Sequence, residues 1–198
     1  MQACRLAATD LACRRGERVL FRGVSFALGP GQALHLTGPN GVGKSSLIRI
    51  LAGLLRPFAG SVERGGAMAL ADERAALDPD RPLGQALGFW RRFDRARGIE
   101  HAVSALGLGD LLDVPVGYLS TGQRKRAALA RTLLAEAPIW LLDEPLNGLD
   151  AASAGAVEGL VARHCGQRGI AVIASHQPFA CPDIAQLELE RFALVEAA

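Results

Sequence analysis

The sequence predicts an α/β domain with a parallel core sheet, an N-terminal antiparallel β region and a small helical subdomain. Three observations carry this reading. Residues 139–142 and Ile170–Ala174 are short unbroken apolar runs, the pattern of strands buried on both faces of a parallel sheet. A strand at Ala33–Thr37 passes through a glycine-rich turn into a helix that begins at Lys44. Helical stretches lie between the apolar runs, as the crossovers of parallel strands require.

Residues 5–10, 19–28 and Ala33–Thr37 read as short strands, the second broken around Arg22 and Gly23, with loops at 14–18 and 29–32 between them. Over 44–55 the apolar positions Leu47, Ile48, Ile50, Leu51, Leu54 and Leu55 recur at helical spacing until Arg56 and Pro57 stop the helix. Residues 60–64 and 67–71 read as two further strands, and Asp78, Pro79, Asp80 and Pro82 make a turn-rich loop. Short helices follow at 83–96, 100–106 and 111–113, joined by Gly98, Gly107 and Gly109 and closed by Pro115 and Gly117. Over 121–136 the side chains of Leu129, Ala130, Leu133, Leu134 and Ala137 face one way and Arg124, Lys125, Arg126 and Arg131 another, with Ser120 or Thr121 as cap. Residues 151–165 form the last helix, and the tail at 184–195 alternates weakly, as edge strands do. No repeat or linker divides the chain, so residues 1–198 read as one domain with its helical subdomain at about 78–135.

A chain of 198 residues, 49% hydrophobic and 21% charged, has the make-up of a globular domain. Its longest stretch without Asp, Glu, Lys or Arg, residues 23–43, is interrupted by glycines, Pro30, Pro39, Asn40, Gln32 and His35, so no membrane crossing is expected. The start, MQACRLAATDL, lacks the parts of a signal peptide, and a cytosolic location is expected. With 22 basic against 20 acidic residues there is no case for a nucleic-acid partner. Only two of those 22 are lysines, Lys44 and Lys125, so a lysine here is informative. Cys4, Cys13, Cys165 and Cys181 form no C-x-x-C pair, and His35, His101, His164 and His176 add no metal-ligand spacing; reduced, structural thiols are expected.

The chemistry begins at Gly38-Pro39-Asn40-Gly41-Val42-Gly43-Lys44-Ser45, which fits the phosphate loop G-x-x-x-x-G-K-[ST] between a strand and a helix. With this composition about 0.002 chance matches are expected in the chain. Glycines let backbone N–H groups face phosphate oxygens, Lys44 reaches the terminal phosphates, and the Ser45 hydroxyl can ligate Mg²⁺. A carboxylate at the end of a buried strand is where such a sheet holds its metal, which assigns Asp143 to Mg²⁺. Glu144 then lies beside the γ-phosphate, where polarising the attacking water is the role for a second carboxylate.

Leu119-Ser120-Thr121-Gly122-Gln123 at the start of the amphipathic helix resembles the LSGGQ signature of ABC-type ATPases, with Thr121 in place of the first glycine. The resemblance implies an ABC-type nucleotide-binding domain of the P-loop NTPase class, binding ATP and Mg²⁺. It also implies a homodimer in which Ser120, Thr121, Gly122 and Gln123 of one copy cover the γ-phosphate held by the other. Asn147-Gly148-Leu149-Asp150 looks like the family's D-loop, bringing Asp150 to the nucleotide, and His176 in Ala174-Ser175-His176-Gln177-Pro178 looks like its switch histidine. The Q-loop glutamine falls on Glu73, beside Arg74, and the aromatic that stacks on adenine falls near Arg15, whose guanidinium plane can stack instead. Arg91, Arg92, Arg95 and Arg97 read as a solvated helix face in the region where ABC proteins meet their membrane partner. Lys125, just after the signature, falls with Lys44 at the two surfaces that would sandwich ATP.

Within that superfamily, the phosphate loop running into Ser46-Leu47-Ile48-Arg49-Ile50-Leu51-Ala52-Gly53-Leu54, the strand end Ile139-Trp140-Leu141-Leu142-Asp143-Glu144-Pro145 and Ser175-His176-Gln177-Pro178 resemble the CcmA family. These are the ATP-binding subunits of the haem exporter of cytochrome c maturation. The resemblance adds Ser46 to the nucleotide-binding residues and implies a CcmB-type permease, a CcmC-type partner and a place on the cytoplasmic face of a bacterial inner membrane. Three rival readings remain: the ATPase of another small exporter, a non-transport ABC switch protein, and a soluble P-loop kinase. The signature and His176 argue against the kinase, and 198 residues leave no room for the second cassette or coiled-coil insertion of a switch protein.

Overall fold

The computed structural model describes residues 4–72, 76–94 and 98–193. In the antiparallel sheet, β1 (Arg5–Arg15) is the middle strand, flanked by β2 (Arg18–Leu28) and β4 (Ala59–Gly65). The second sheet is parallel throughout. Its order is β5 (Met68–Ala71), β6 (Ile139–Asp143), β7 (Ile170–Ala174), β3 (Ala33–Thr37) and β8 (Ala185–Glu188). The helices are α1 (Lys44–Leu51), α2 (Leu83–Asp94), α3 (Glu100–Ala105), α4 (Thr121–Leu134) and α5 (Ala151–Gly166).

Strand alternation in the parallel sheet sorts the interior into two cores. From β6 and β7, Ile139, Leu141, Ile170, Val172 and Ala174 face α1 and the antiparallel sheet, where they meet Leu6, Leu11, Phe21, Leu47, Ile48, Ile50 and Leu51. Trp140, Leu142, Ala171 and Ile173 face the other way, against α2, α4 and α5. Burial on both faces explains why these strands carry no polar alternation. Leu47, Ile48, Ile50 and Leu51 have no exposed surface, so truncating any one of them to Ala would cost about 2–5 kcal/mol.

Several boundaries differ from the sequence reading. β1 does not end at Asp10 but continues to Arg15, leaving only residues 16–17 of the expected loop 14–18 as a turn. The alternation breaks at Asp10 because a bulge intervenes: its φ is 51° and its N–H donates to Ser25 Oγ at 2.8 Å. Gly60 passes so close to the carbonyls of Thr9 and Asp10 that a Cβ has no room. The strands expected at 60–64 and 67–71 both form, but in different sheets, with the chain crossing between them at Gly66. α1 stops at Leu51 rather than 55 because Gly53, φ 78°, closes it. The Gly53 N–H donates to Ile50 O at 3.0 Å and the Leu54 N–H to Arg49 O at 2.9 Å. The tail supplies one edge strand, β8, and then a single 3-10 turn at Leu189–Phe192.

Candidate active site

The carboxyl ends of β3, β6 and β7 meet at one edge of the parallel sheet, the place where open α/β sheets bind ligands. The turn from β3 into α1 has Gly41 at φ 82° and Gly43 at φ 114°. A Cβ on Gly43 would fall 3.0 Å from the Phe21 ring and 3.3 Å from Leu20, so glycine is what lets the loop lie against β2. Lys44, 6% exposed, turns back into the loop and donates to Gly38 O at 2.7 Å and Pro39 O at 3.2 Å. Its ammonium also lies 3.8 Å from Glu144 Oε1.

Ser45 Oγ donates to Asp143 Oδ1 at 3.0 Å, joining residues 98 apart in sequence. Asp143 is 4% exposed. Burial raises its carboxyl above the usual carboxylate range, and the Ser45 hydrogen bond and the charges of Lys125 and Arg49 oppose that rise. Glu144 sits at φ 49°, a left-handed conformation that costs a non-glycine residue about 1–3 kcal/mol and is held only where the surroundings impose it. Its N–H donates to Ala174 O at 2.7 Å, and its Oε2 accepts from His176 Nδ1 at 3.0 Å. Lys44 and His176 therefore hold the two Glu144 oxygens from opposite sides.

A cavity of about 360 Å³ opens over this cluster. Asn40, Gly41, Gly43, Lys44, Ser45, Ser46, Glu144 and His176 line it, together with Leu20 and Asn147, which the sequence reading did not place among its site residues. Only tertiary pairing brings Leu20 there, since nothing in the pattern of β2 sets it apart. Pro39 and Val42 line an adjoining cavity with Arg18 and Glu190. Arg15, expected near the adenine, is exposed at the end of β1 and lines neither cavity, while its neighbour Arg14 lies over the Phe58 ring at 4.7 Å. Glu73 lies outside the described residues.

Ser120 and Gln123 form a capping box at the start of α4. Ser120 Oγ accepts from the Gln123 N–H at 3.2 Å, and Gln123 Oε1 accepts from the Ser120 N–H at 2.8 Å. The hydroxyl proton of Ser120 remains available for an outside acceptor. Thr121 and Gly122 pack on the turn after β6: a Cβ on Gly122 would fall 2.6 Å from Gly148 O. Asp150 caps α5 by accepting from the Ser153 N–H at 2.7 Å, which holds its carboxyl below the usual range. Lys125 lines a cavity beside the signature turn with Thr121 and Arg124, and it also reaches inward, donating to Asp143 O at 3.4 Å in its own chain.

The residues present suit Mg²⁺: one hydroxyl and one buried carboxylate leave the remaining positions to nucleotide oxygens and water, as that ion prefers. Among the described residues no group of three or more His, Cys, Asp or Glu gathers, and this mode of binding needs none.

A glycine-rich loop opening a buried helix, a hydroxyl against a strand-end carboxylate and a His–Glu pair on neighbouring strand ends define an ABC-type nucleotide-binding domain. The comparisons with known proteins agree with that class. The family model described as ABC transporter matches residues 21–147. The cytochrome c biogenesis ATP-binding export protein CcmA of Novosphingobium aromaticivorans is 59% identical over 192 residues, covering 97% of this chain and 99% of its own. The protein of that name from Zymomonas mobilis is 49% identical, covering 95% and 86%. A solved Pyrococcus furiosus chain described as an ABC transporter ATP-binding protein superposes with a TM-score of 0.84 over 96% of this chain and all of its own; at 22% identity it shows the fold. The chain belongs to the ABC transporter family and, within it, to the CcmA family. As an ABC ATP-binding protein it is an ATPase that works with membrane permease partners. Among the described residues no helix is long and apolar enough to cross a membrane.

Proposed function

We propose that this chain is the ATP-hydrolysing subunit of an exporter serving haem delivery for c-type cytochromes. In this reading residues 1–198 form one cassette that works as a homodimer on the cytoplasmic face of the bacterial inner membrane, with a CcmB-type permease and a CcmC-type subunit. The observation that carries the hydrolytic part is the convergence of Lys44, Ser45, Glu144 and His176 on one cavity, with Asp143 joined to them through Ser45. The export part rests on the names of the relatives.

Lys44 leaves the loop carbonyls for the terminal phosphates, whose oxygens offer it a stronger charge-assisted partner. Ser45 and Asp143 hold Mg²⁺, which when bound neutralises charge on the phosphates. Glu144 takes the proton of the attacking water, His176 Nδ1–H fixes the orientation of that carboxylate, and the rest of the His176 ring faces the γ-phosphate. The loop from Gly38 through Pro39, Asn40, Gly41, Val42 and Gly43, with Ser46, cradles the phosphates, and Arg15 reaches the base from the end of β1. Ser120, Thr121, Gly122, Gln123 and Asp150 act on the nucleotide of the other copy, and Glu73 takes the Q-loop position.

The test is the Glu144→Gln chain with Mg-ATP. It should form a dimer by size-exclusion chromatography, stay monomeric when Ser120→Arg is added, and bind a fluorescent ATP analogue equally well in both forms. Captured from detergent-solubilised membranes of the native bacterium, the wild-type chain should carry an integral membrane permease, and its gene deletion should deplete haem-loaded c-type cytochromes. A monomer in both variants refutes the sandwich. Unchanged c-type cytochromes refute the export role.

A further inference from the structure

Helical periodicity puts Lys125 on the polar face of α4 with Arg124, Arg126 and Arg131, yet its side chain is half-buried and turned toward the end of β6. Holding a long charged side chain in one place is entropically unfavourable, so the contact it makes is informative. Its contacts include the carbonyl of Asp143, at 3.4 Å. The same peptide unit carries the Glu144 N–H, which donates to Ala174 O at 2.7 Å. The peptide between the strand-end carboxylate and the carboxylate that faces the cavity is thus gripped at both ends: its C=O by α4 and its N–H by β7. It is also the peptide that sets Glu144 at φ 49°. Left-handed backbone at a non-glycine residue persists only where neighbours over-determine it, and these two hydrogen bonds are placed to do so.

We propose that Lys125 is a positioning residue for ATP hydrolysis, clamping the Asp143–Glu144 peptide so that the Glu144 carboxylate is held in the cavity. It acts through Glu144 and touches no reacting atom. A second consequence is mechanical. Gly122, one turn earlier on α4, packs against Gly148 of the segment that follows Glu144, so the start of α4 is tied to the β6–α5 connection at two points. The inference rests on the hydrolytic reading of Glu144 but not on the dimer.

The test compares Lys125→Met and Lys125→Arg with wild type by four readouts: steady-state ATPase, affinity for a fluorescent ATP analogue with Mg²⁺, melting midpoint, and amide hydrogen exchange at Glu144. In Lys125→Met, kcat should fall about tenfold or more, because small misplacement of a reacting group is costly. KM, nucleotide affinity and midpoint should stay near wild type, and exchange at Glu144 should quicken in the nucleotide-free chain. Lys125→Arg, which keeps a cationic donor, should restore both kcat and protection. Unchanged kcat in Lys125→Met, a kcat loss matched by lost affinity or melting midpoint, or failure of Lys125→Arg to restore it would overturn the proposal. Wild-type turnover per subunit measured against protein concentration separates the two readings: flat turnover breaks the dimer while the Lys125→Met result still decides the clamp.

Discussion

The phosphate-loop wall and the signature turn are built from similar materials, a helix start with polar side chains beside it, and they are finished in opposite ways. In the first, Lys44 and Asp143 are almost wholly buried, and Lys44, Ser45, Asp143, Glu144 and His176 are linked to one another or to backbone of the same chain. In the second, Ser120 and Thr121 are exposed, and the capping box satisfies the turn without closing it over. The difference separates a preorganised pocket from a presented surface. A preorganised network beside a cavity can hold charge where a reaction develops it. A capped, rigid and outward helix start offers N–H groups and a positive dipole end to an anion that something else delivers.

The largest expected effect lies in the buried wall. Glu144→Gln keeps the shape of the side chain and removes its basicity, so turnover should fall by about 10²–10⁴ while ATP affinity holds. Lys44→Ala should instead weaken ATP binding, by about tenfold to a hundredfold for one lost charge-assisted contact. Steady-state ATPase and fluorescent-nucleotide titration of the two variants check this directly. If both variants lose affinity equally, the wall is a single electrostatic unit and the division of labour drawn here is wrong.

A smaller effect is expected at the signature turn. Gly122→Ala adds a Cβ that would sit 2.6 Å from Gly148 O, and the cost of forcing the backbones apart is about 1–3 kcal/mol. Denaturant unfolding should show that loss, and nucleotide affinity of the monomer should not change, because the strain falls outside the phosphate-loop cavity. Lowered affinity in Gly122→Ala would mean that the two regions are coupled in the resting chain more tightly than their separate networks suggest.

What was legible in the sequence follows the same divide between local and tertiary physics. The phosphate loop, the strand ends at Asp143 and Ala174 and the cap at Ser120 are written in consecutive residues, and each lies where it was expected. Residues that reach the site from another element were not legible. Leu20 needs the packing of β2 against Gly43, and the inward contact of Lys125 is not legible because periodicity records which face a side chain leaves from, not how far a long one bends. The bulge at Asp10 hid the second half of β1 for a related reason: one left-handed residue reverses the alternation by which a strand is recognised. Arg15 was assigned by family position alone, and its exposed place at the hairpin end leaves the base contact to be tested.

The smallest effect is a pH dependence of stability, carried by two buried imidazoles. His164, at the end of α5, stacks flat on Trp140 with ring centroids 3.9 Å apart, and His35 in β3 is 3% exposed. Burial lowers both imidazoles from the ordinary 6.5. Below that pH the unfolded chain binds protons that the folded chain still refuses, so stability falls as pH drops through the window beneath 6.5 and is fully present above it. Each group contributes at most about 1.4 kcal/mol per pH unit there. Asp143, raised by burial, works in the opposite sense, in a window that runs upward from 3.8. Melting midpoints should therefore decline between pH 7 and pH 5, and His164→Gln should flatten the slope even as it lowers the midpoint overall. A midpoint independent of pH across that range would overturn the assignment of a pH-dependent penalty to these two rings.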